Sequence, residues 1–164
     1  MARYCERAAT RTGTRFFLYG GRDDRARQQL VEALRRRFPG VDIVGGYSPP
    51  FRPLTEDERD SVAEQINASG AAVVWVGTGQ PKQEKWMAEM RDRLSPPILV
   101  GVGAAFDFHA GLVPQAPRWL QAIGLEWLYR LAHEPRRLWR RYARYNPRFV
   151  VGFARQYLAH RAGR

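Results

Sequence analysis

Short apolar runs that end in glycine alternate with stretches of helical period along the first two thirds of the chain. Phe16-Phe17-Leu18-Tyr19 leads into Gly20-Gly21 and reads as a short buried strand closed by a glycine turn. Asp23 or Asp24 can cap the helix that follows, where Ala26, Leu30, Ala33, Leu34 and Phe38 keep helical spacing until Pro39-Gly40 stops it. Val41, Ile43 and Val44 make the next strand, which ends in Gly45-Gly46-Tyr47, and Pro49, Pro50 and Pro53 keep the following loop irregular. Thr55 with Glu58 three residues on is a capping box for a helix through Val62, Ala63, Ile66 and Asn67. Strands over 71–76 and 98–102 flank one more helix, with Pro81 in its first turn and its end at Leu94.

Strands alternating with helices in this way predict an α/β fold, an open parallel Rossmann-like sheet flanked by helices, with right-handed crossovers. From about Pro117 the pattern is helical only, over 119–132, 135–145 and 147 to about 160, each later helix opening on a proline. The expected organisation is an unstructured start at 1–13, where no periodicity is visible, an α/β domain at 14–115, and a basic helical appendage at 116–164.

The chain has 164 residues and 45% apolar content, enough for one sizeable core. Cys5 is the single cysteine, so no intrachain disulfide can form, and the scattered His109, His133 and His160 argue for no metal. No apolar run approaches the roughly 18 residues of a membrane span, and the start lacks the apolar centre of a signal peptide. The expectation is a protein that stays on the side of the membrane where it is made. Charge divides the chain more sharply than hydropathy does. Residues 113–164 hold 11 Arg against Glu126 and Glu134, whereas residues 1–112 balance 16 cations against 14 carboxylates. A segment so basic, yet rich in Trp, Tyr and Leu, expects an anionic partner: lipid headgroups, a pyrophosphate-bearing substrate or nucleic acid.

Two consecutive strand ends carry the candidate chemistry. Gly77-Thr78-Gly79 can cradle a phosphate with backbone N–H groups at a helix start, though a plain tight turn reads the same. Gln80-Pro81-Lys82-Gln83-Glu84 gathers donors, a cation and an acceptor on one helical turn, the alternative being a solvated first turn. In Gly101-Val102-Gly103-Ala104-Ala105-Phe106-Asp107-Phe108 a carboxylate lies between two aromatics beyond small residues, and a helix-capping aspartate is the plainer account. Arg137, Arg141, Arg144 and Arg148 recur at helical spacing opposite Leu138, Trp139, Tyr142 and Tyr145, either a solvated face or an anion-binding one.

The runs GTGQPKQEKW, GVGAAFDFHAG, APRW and GLEWLYRLAHEPRRLWRRYARYNPRF, in this order, closely resemble the WecG/TagA/CpsF glycosyltransferases of bacterial cell-surface polysaccharide synthesis, over roughly residues 16–157. The resemblance implies inverting, metal-independent transfer of a sugar, N-acetylmannosamine or its uronic acid, from a UDP-sugar to a polyprenyl-diphosphate-linked acceptor. It implies a peripheral position at the cytoplasmic face of the plasma membrane and no cofactor. The absence of an Asp-x-Asp pair fits metal independence. By motif, Gln83 would contact the donor sugar, Pro81, Lys82 and Glu84 would shape its pocket with Gly77, Gly79 and Gly103, and Tyr47 and Asp107 would flank the nucleoside. Arg130, Arg136, Arg137, Arg140, Arg141 and Arg144 match the family's basic appendage, expected to meet diphosphate and the anionic membrane surface.

Two departures accompany the resemblance. The family carries a further amino-terminal part, on the order of a hundred residues by ordinary domain size, with an Asp-Gly motif whose aspartate is the expected general base. This sequence contains no Asp-Gly dipeptide, so the catalytic group is unassigned, and Gln115 stands where the family has Arg before Ala-Pro. A reading from another class stays open, a non-catalytic module whose basic arm binds anionic membrane or nucleic acid. Homo-oligomerisation stays open as well. The non-catalytic reading ranks below the first, since an Arg-aromatic tail does not account for the Pro-Lys-Gln-Glu box, and nucleic acid is not the expected partner.

Overall fold

The computed structural model describes residues 1–103, 105–112, 116–133 and 135–162. Gln115 and Glu134, singled out above, lie outside the described residues, as do the side chains of Arg137 and Arg141. Chain contacts divide the protein into two compact units, Met1–Pro114 and Gln115–Arg164.

The first unit is built on four parallel strands, β1 (Arg15–Gly20), β2 (Asp42–Tyr47), β3 (Val73–Gly77) and β4 (Ile98–Gly101), in the order β2-β1-β3-β4. The expected parallel α/β architecture is therefore present. Helix α2 (Asp24–Arg37) connects β1 to β2, α3 (Glu56–Ala68) connects β2 to β3, and α4 (Lys82–Met90) connects β3 to β4. Asp23 caps α2 by accepting from the Ala26 N–H at 2.8 Å. Thr55 and Glu58 close the capping box of α3 at 3.2 and 2.8 Å. Alternation along β1 splits the core in two. Phe16 and Leu18 face Leu30 and Leu34 of α2 and Phe38 just beyond it, and Phe17 and Tyr19 face Val62 and Ile66 of α3 and Met90 of α4.

Four expectations are corrected. Residues 1–13 are ordered, as helix α1 (Ala2–Arg7) continued by a π-helical turn over Ala8–Thr12. Cys5 and Ala8 are buried in the α2-side core, and Tyr4 sets its ring edge-on to Phe16 and Trp75, each 5.9 Å away. The apolar positions are small residues spaced among arginines, too weak a stripe to show as a period. Helix α4 stops at Met90, and a 3₁₀ turn over Arg91–Arg93 reaches Leu94.

In the second unit the expected helix over 119–132 is two, α6 (Arg118–Ala122) and α7 (Glu126–His133). Gly124 takes φ 74°, its N–H bonds Gln121 O at 3.1 Å, and the Leu125 N–H reaches Leu120 O at 2.9 Å, which is a Schellman stop. Conversely, the two expected carboxyl-terminal helices are one, α8 (Pro135–Ala162), with Pro147 inside it. A mid-helix proline gives up the bond to the Ala143 carbonyl at a cost of about 3 kcal/mol. The three or more turns on each side carry the helix through. Among the described residues no helix is long and apolar enough to cross a membrane.

Candidate functional site

The connection from β1 leads to one edge of the sheet and that from β3 to the other, so the winding reverses between these two strands. In open α/β sheets the crevice outside the carboxyl ends at such a point is where ligands bind. Here Gly20 and Gly77 face each other across it. A Cβ on Gly20 would stand 2.7 Å from the Gly77 carbonyl carbon, and one on Gly77 would run into the ring of Phe106. Gly20 at φ 134° and Gly79 at φ 81° adopt backbone that side-chain-bearing residues rarely reach. The rim is therefore bare main chain. Beside it the buried Thr78 Oγ has no hydrogen-bond partner among the described residues.

The Pro-Lys-Gln-Glu box and the second glycine turn, separate in sequence, form one wall. Pro81 stands at the N-cap of α4, and the Gln83 N–H bonds Gly79 O at 2.9 Å. The Gln83 side chain is 5% exposed, the single buried polar residue among those described. Its Oε1 accepts from the Gly103 N–H at 3.0 Å, and its Nε2 donates to Glu84 Oε1 at 3.0 Å. Gly101 leaves room for this bridge, since a Cβ there would lie 2.7 Å from Gln83 Nε2 and push the amide aside. Lys82 and Glu84 are exposed on the outer side of this turn.

Tyr47, at the carboxyl end of β2, stacks on Tyr19 at 6.0 Å, and Tyr19 stacks on Trp86 of α4 at 3.7 Å. This aromatic row lines the α3–α4 side of the sheet. Burial pushes the Tyr19 and Tyr47 phenols up, so both stay neutral hydrogen-bonding groups. Next to Tyr47, Ser48 Oγ donates to Gly20 O at 3.4 Å and accepts from Arg27 Nε at 3.3 Å. Arg27 in turn pairs with Asp24 at 3.0 Å. On the far side of the loop Arg52 grips Glu58 through two bonds of 2.7 and 2.6 Å. That fork, with the Thr55 N–H, holds the Glu58 carboxyl down at about 2.

Asp107 lies in α5 (Ala105–His109), one residue after the Phe106 that packs on Gly77. Its carbonyl accepts the Leu112 N–H at 2.9 Å, closing the helix over Gly111 at φ 73°. Asp107 thus lies in the first turn of this five-residue helix, where a carboxylate suits the helix start, while its carbonyl serves the helix end. The acids near the crevice differ in what they are free to do. Asp23 is engaged as the α2 cap, and the Arg27 hydrogen bond holds Asp24 below the ordinary carboxylate range, which makes it a weaker base. Among the described residues no cluster of metal-ligating side chains occurs.

Arg130 and Arg144 belong to the second unit, on α7 and α8, with Arg130 half-buried and Arg144 exposed. On α8 the rings of Phe149, Phe153 and Tyr157 stack in succession at 6.2 and 6.3 Å, all exposed. Sequence reading missed Tyr19, Trp86, Arg27 and Ser48, while Thr78 stood within the Gly77-Thr78-Gly79 turn it singled out. Trp86 follows Gln83 by three residues and Tyr19 directly precedes the first glycine pair, signals masked by their fit to ordinary core periodicity.

A parallel sheet with a glycine rim at its reversal point, walled by two polar turns, places the protein among Rossmann-like α/β folds. The comparison with protein families then fixes its kinship. The chain matches the Glycosyl transferase WecG/TagA/CpsF family over residues 1–163 and belongs to it. It is thereby a member of a glycosyltransferase family of cell-wall polysaccharide synthesis.

Proposed function

We propose that the crevice between β1 and β3 binds a UDP-sugar, N-acetylmannosaminyl or its uronic acid, for inverting, metal-independent transfer to a polyprenyl-diphosphate-linked acceptor. The observation that carries this reading is the Gln83 bridge, which joins the Pro-Lys-Gln-Glu turn to the Gly103 turn in one wall beside bare backbone. Main-chain N–H groups on a glycine rim suit a diphosphate, and the second Nε2 hydrogen of Gln83 suits a sugar oxygen. Tyr47 and Asp107 flank the nucleoside, with Lys82 and Glu84 shaping the sugar's surroundings and Gly77, Gly79 and Pro81 giving the backbone its course. Arg130, Arg137, Arg141 and Arg144 meet acceptor diphosphate and the anionic inner face of the plasma membrane. An inverting transfer also needs a base for the acceptor hydroxyl. Asp23 and Asp24 are engaged as described, so this reading assigns donor binding to the chain and leaves the base unassigned.

Isothermal titration of the full chain with UDP tests it. Saturable binding is expected, weakened at least about tenfold in Asp107→Asn and Gln83→Ala, a loss of the size of one charged or buried hydrogen bond. No UDP affinity in the unaltered chain would overturn the reading.

The aromatic row on α8 favours a second one, a module that binds an anionic surface without chemistry. Flotation with phosphatidylglycerol vesicles against RNA and DNA shift assays separates the versions. Salt-sensitive nucleic-acid binding without lipid preference would select the nucleic-acid version.

A further inference from the structure

The loop between β2 and α3 is fastened at both ends and displays an aromatic ring between its fastenings. At its start Ser48 is tied to Gly20 O and to Arg27, itself paired with Asp24. Gly46 makes room for this tie, since a Cβ there would meet Arg27 Cδ at 3.0 Å. At its end the Arg52 guanidinium forks onto Glu58 and also donates to Pro53 O at 3.1 Å, while Glu58 accepts from the Thr55 N–H. Pro49, Pro50 and Pro53 fix φ at three of the positions between. Within this frame Phe51 is 82% exposed, the most exposed large apolar side chain described.

A rigid loop contributes nothing to its own core by holding a phenyl ring in water. The same arrangement makes a good ligand contact, because the ordering entropy of the loop is spent in folding and need not be spent on binding. The loop leaves the sheet at Tyr47, at the carboxyl edge where the donor is placed, and the ring offers a face and no hydrogen bonds. The chemistry that fits is a flat or apolar ring face, as in a uracil base or a pyranose.

We propose that Phe51 is a donor-contacting residue, held by the Ser48 and Arg52 ties to cover one ring face of a bound uridine diphosphate sugar. This rests on the reading of the crevice as a UDP-sugar site. Removing the ring removes a contact and no packing, so Phe51→Ala tests binding without disturbing the fold.

Titration of the full chain, of Phe51→Ala and of Phe51→Trp with UDP and with UDP-N-acetylglucosamine is the experiment, with thermal melts alongside. The expected result is a drop of about tenfold or somewhat less in affinity for at least one ligand in Phe51→Ala. Its melting midpoint stays unchanged, and Phe51→Trp restores binding with a change in indole fluorescence on saturation. Wild-type binding matched within about twofold by Phe51→Ala would overturn the Phe51 assignment and leave the crevice reading standing. Binding of neither ligand by the wild type would overturn both. Loss of vesicle flotation in Phe51→Ala with UDP titrations unchanged would also overturn it, assigning the ring to lipid.

Discussion

The two units of this chain handle apolar side chains in opposite ways. In the α/β unit Phe16, Phe17, Leu18, Val74 and Val76 are sealed between helices, and Gln83, the buried polar residue there, is hydrogen-bonded. In the helical unit Trp119, Trp127, Trp139, Phe149, Phe153 and Tyr157 stand in contact with water, among arginines with few carboxylates to answer them. The first arrangement is how a domain stabilises itself. The second costs solvation free energy and returns it only when an outside surface covers the rings. On the proposed reading, stability and attachment fall to different stretches of sequence, and single substitutions can separate them.

The sharpest test is Phe17→Ala. Phe17 is fully buried in the α3–α4 core, and its truncation should lower unfolding free energy by about 3–5 kcal/mol in urea melts, a large part of a typical domain's total. A cost below ~1 kcal/mol would contradict the assignment of stability to this unit. Next, Gly77→Ala drives a methyl into the Phe106 ring and should cost about 1–3 kcal/mol. Because Phe106 adjoins Asp107, UDP affinity should fall with it, and a stability loss with binding intact would separate the rim from the site.

A smaller effect is expected from His109. Burial, with the Arg37 guanidinium second, holds its imidazole below the ordinary value. Its contribution to stability is therefore present above about pH 6.5 and is lost as pH falls through the lower folded-state value. Melting midpoints should drop on acidification from pH 7 to about 5, and the drop should shrink in His109→Gln. An equal drop in that variant would reassign it to the carboxylates. Smallest in stability is the Phe149→Ser, Phe153→Ser double variant. Its unfolding free energy should stay within about 0.5 kcal/mol per site, while retention on phosphatidylglycerol vesicles falls clearly. Unaltered retention would break the comparison.

Most of the α/β unit was legible because its signals are local. Each strand of the sheet ends at or near a glycine, and Asp23 and the Thr55–Glu58 pair mark their helices through fixed offsets. The site was legible as motifs but not as an arrangement. Nothing in the spacing tells that Gln83 bonds the backbone twenty residues ahead, or that Tyr19 and Trp86 stack, because both depend on how β3, β4 and α4 lie in space. Helix α1 was missed because its buried face is alanine and cysteine, which contrast little with their neighbours. In the helical unit proline was over-read as a boundary at Pro147 and glycine under-read at Gly124. A long helix can absorb one missing bond, whereas a left-handed residue ends a helix outright.

The facing glycines at the ends of β1 and β3 also bear on how such a protein can diversify. With no side chain at either position and no room to add one, the notch offers a ligand only main-chain shape and polarity. If the proposed donor site holds, a change of sugar preference must act on what surrounds the notch, the turn at Gln83 and the loop that carries Phe51.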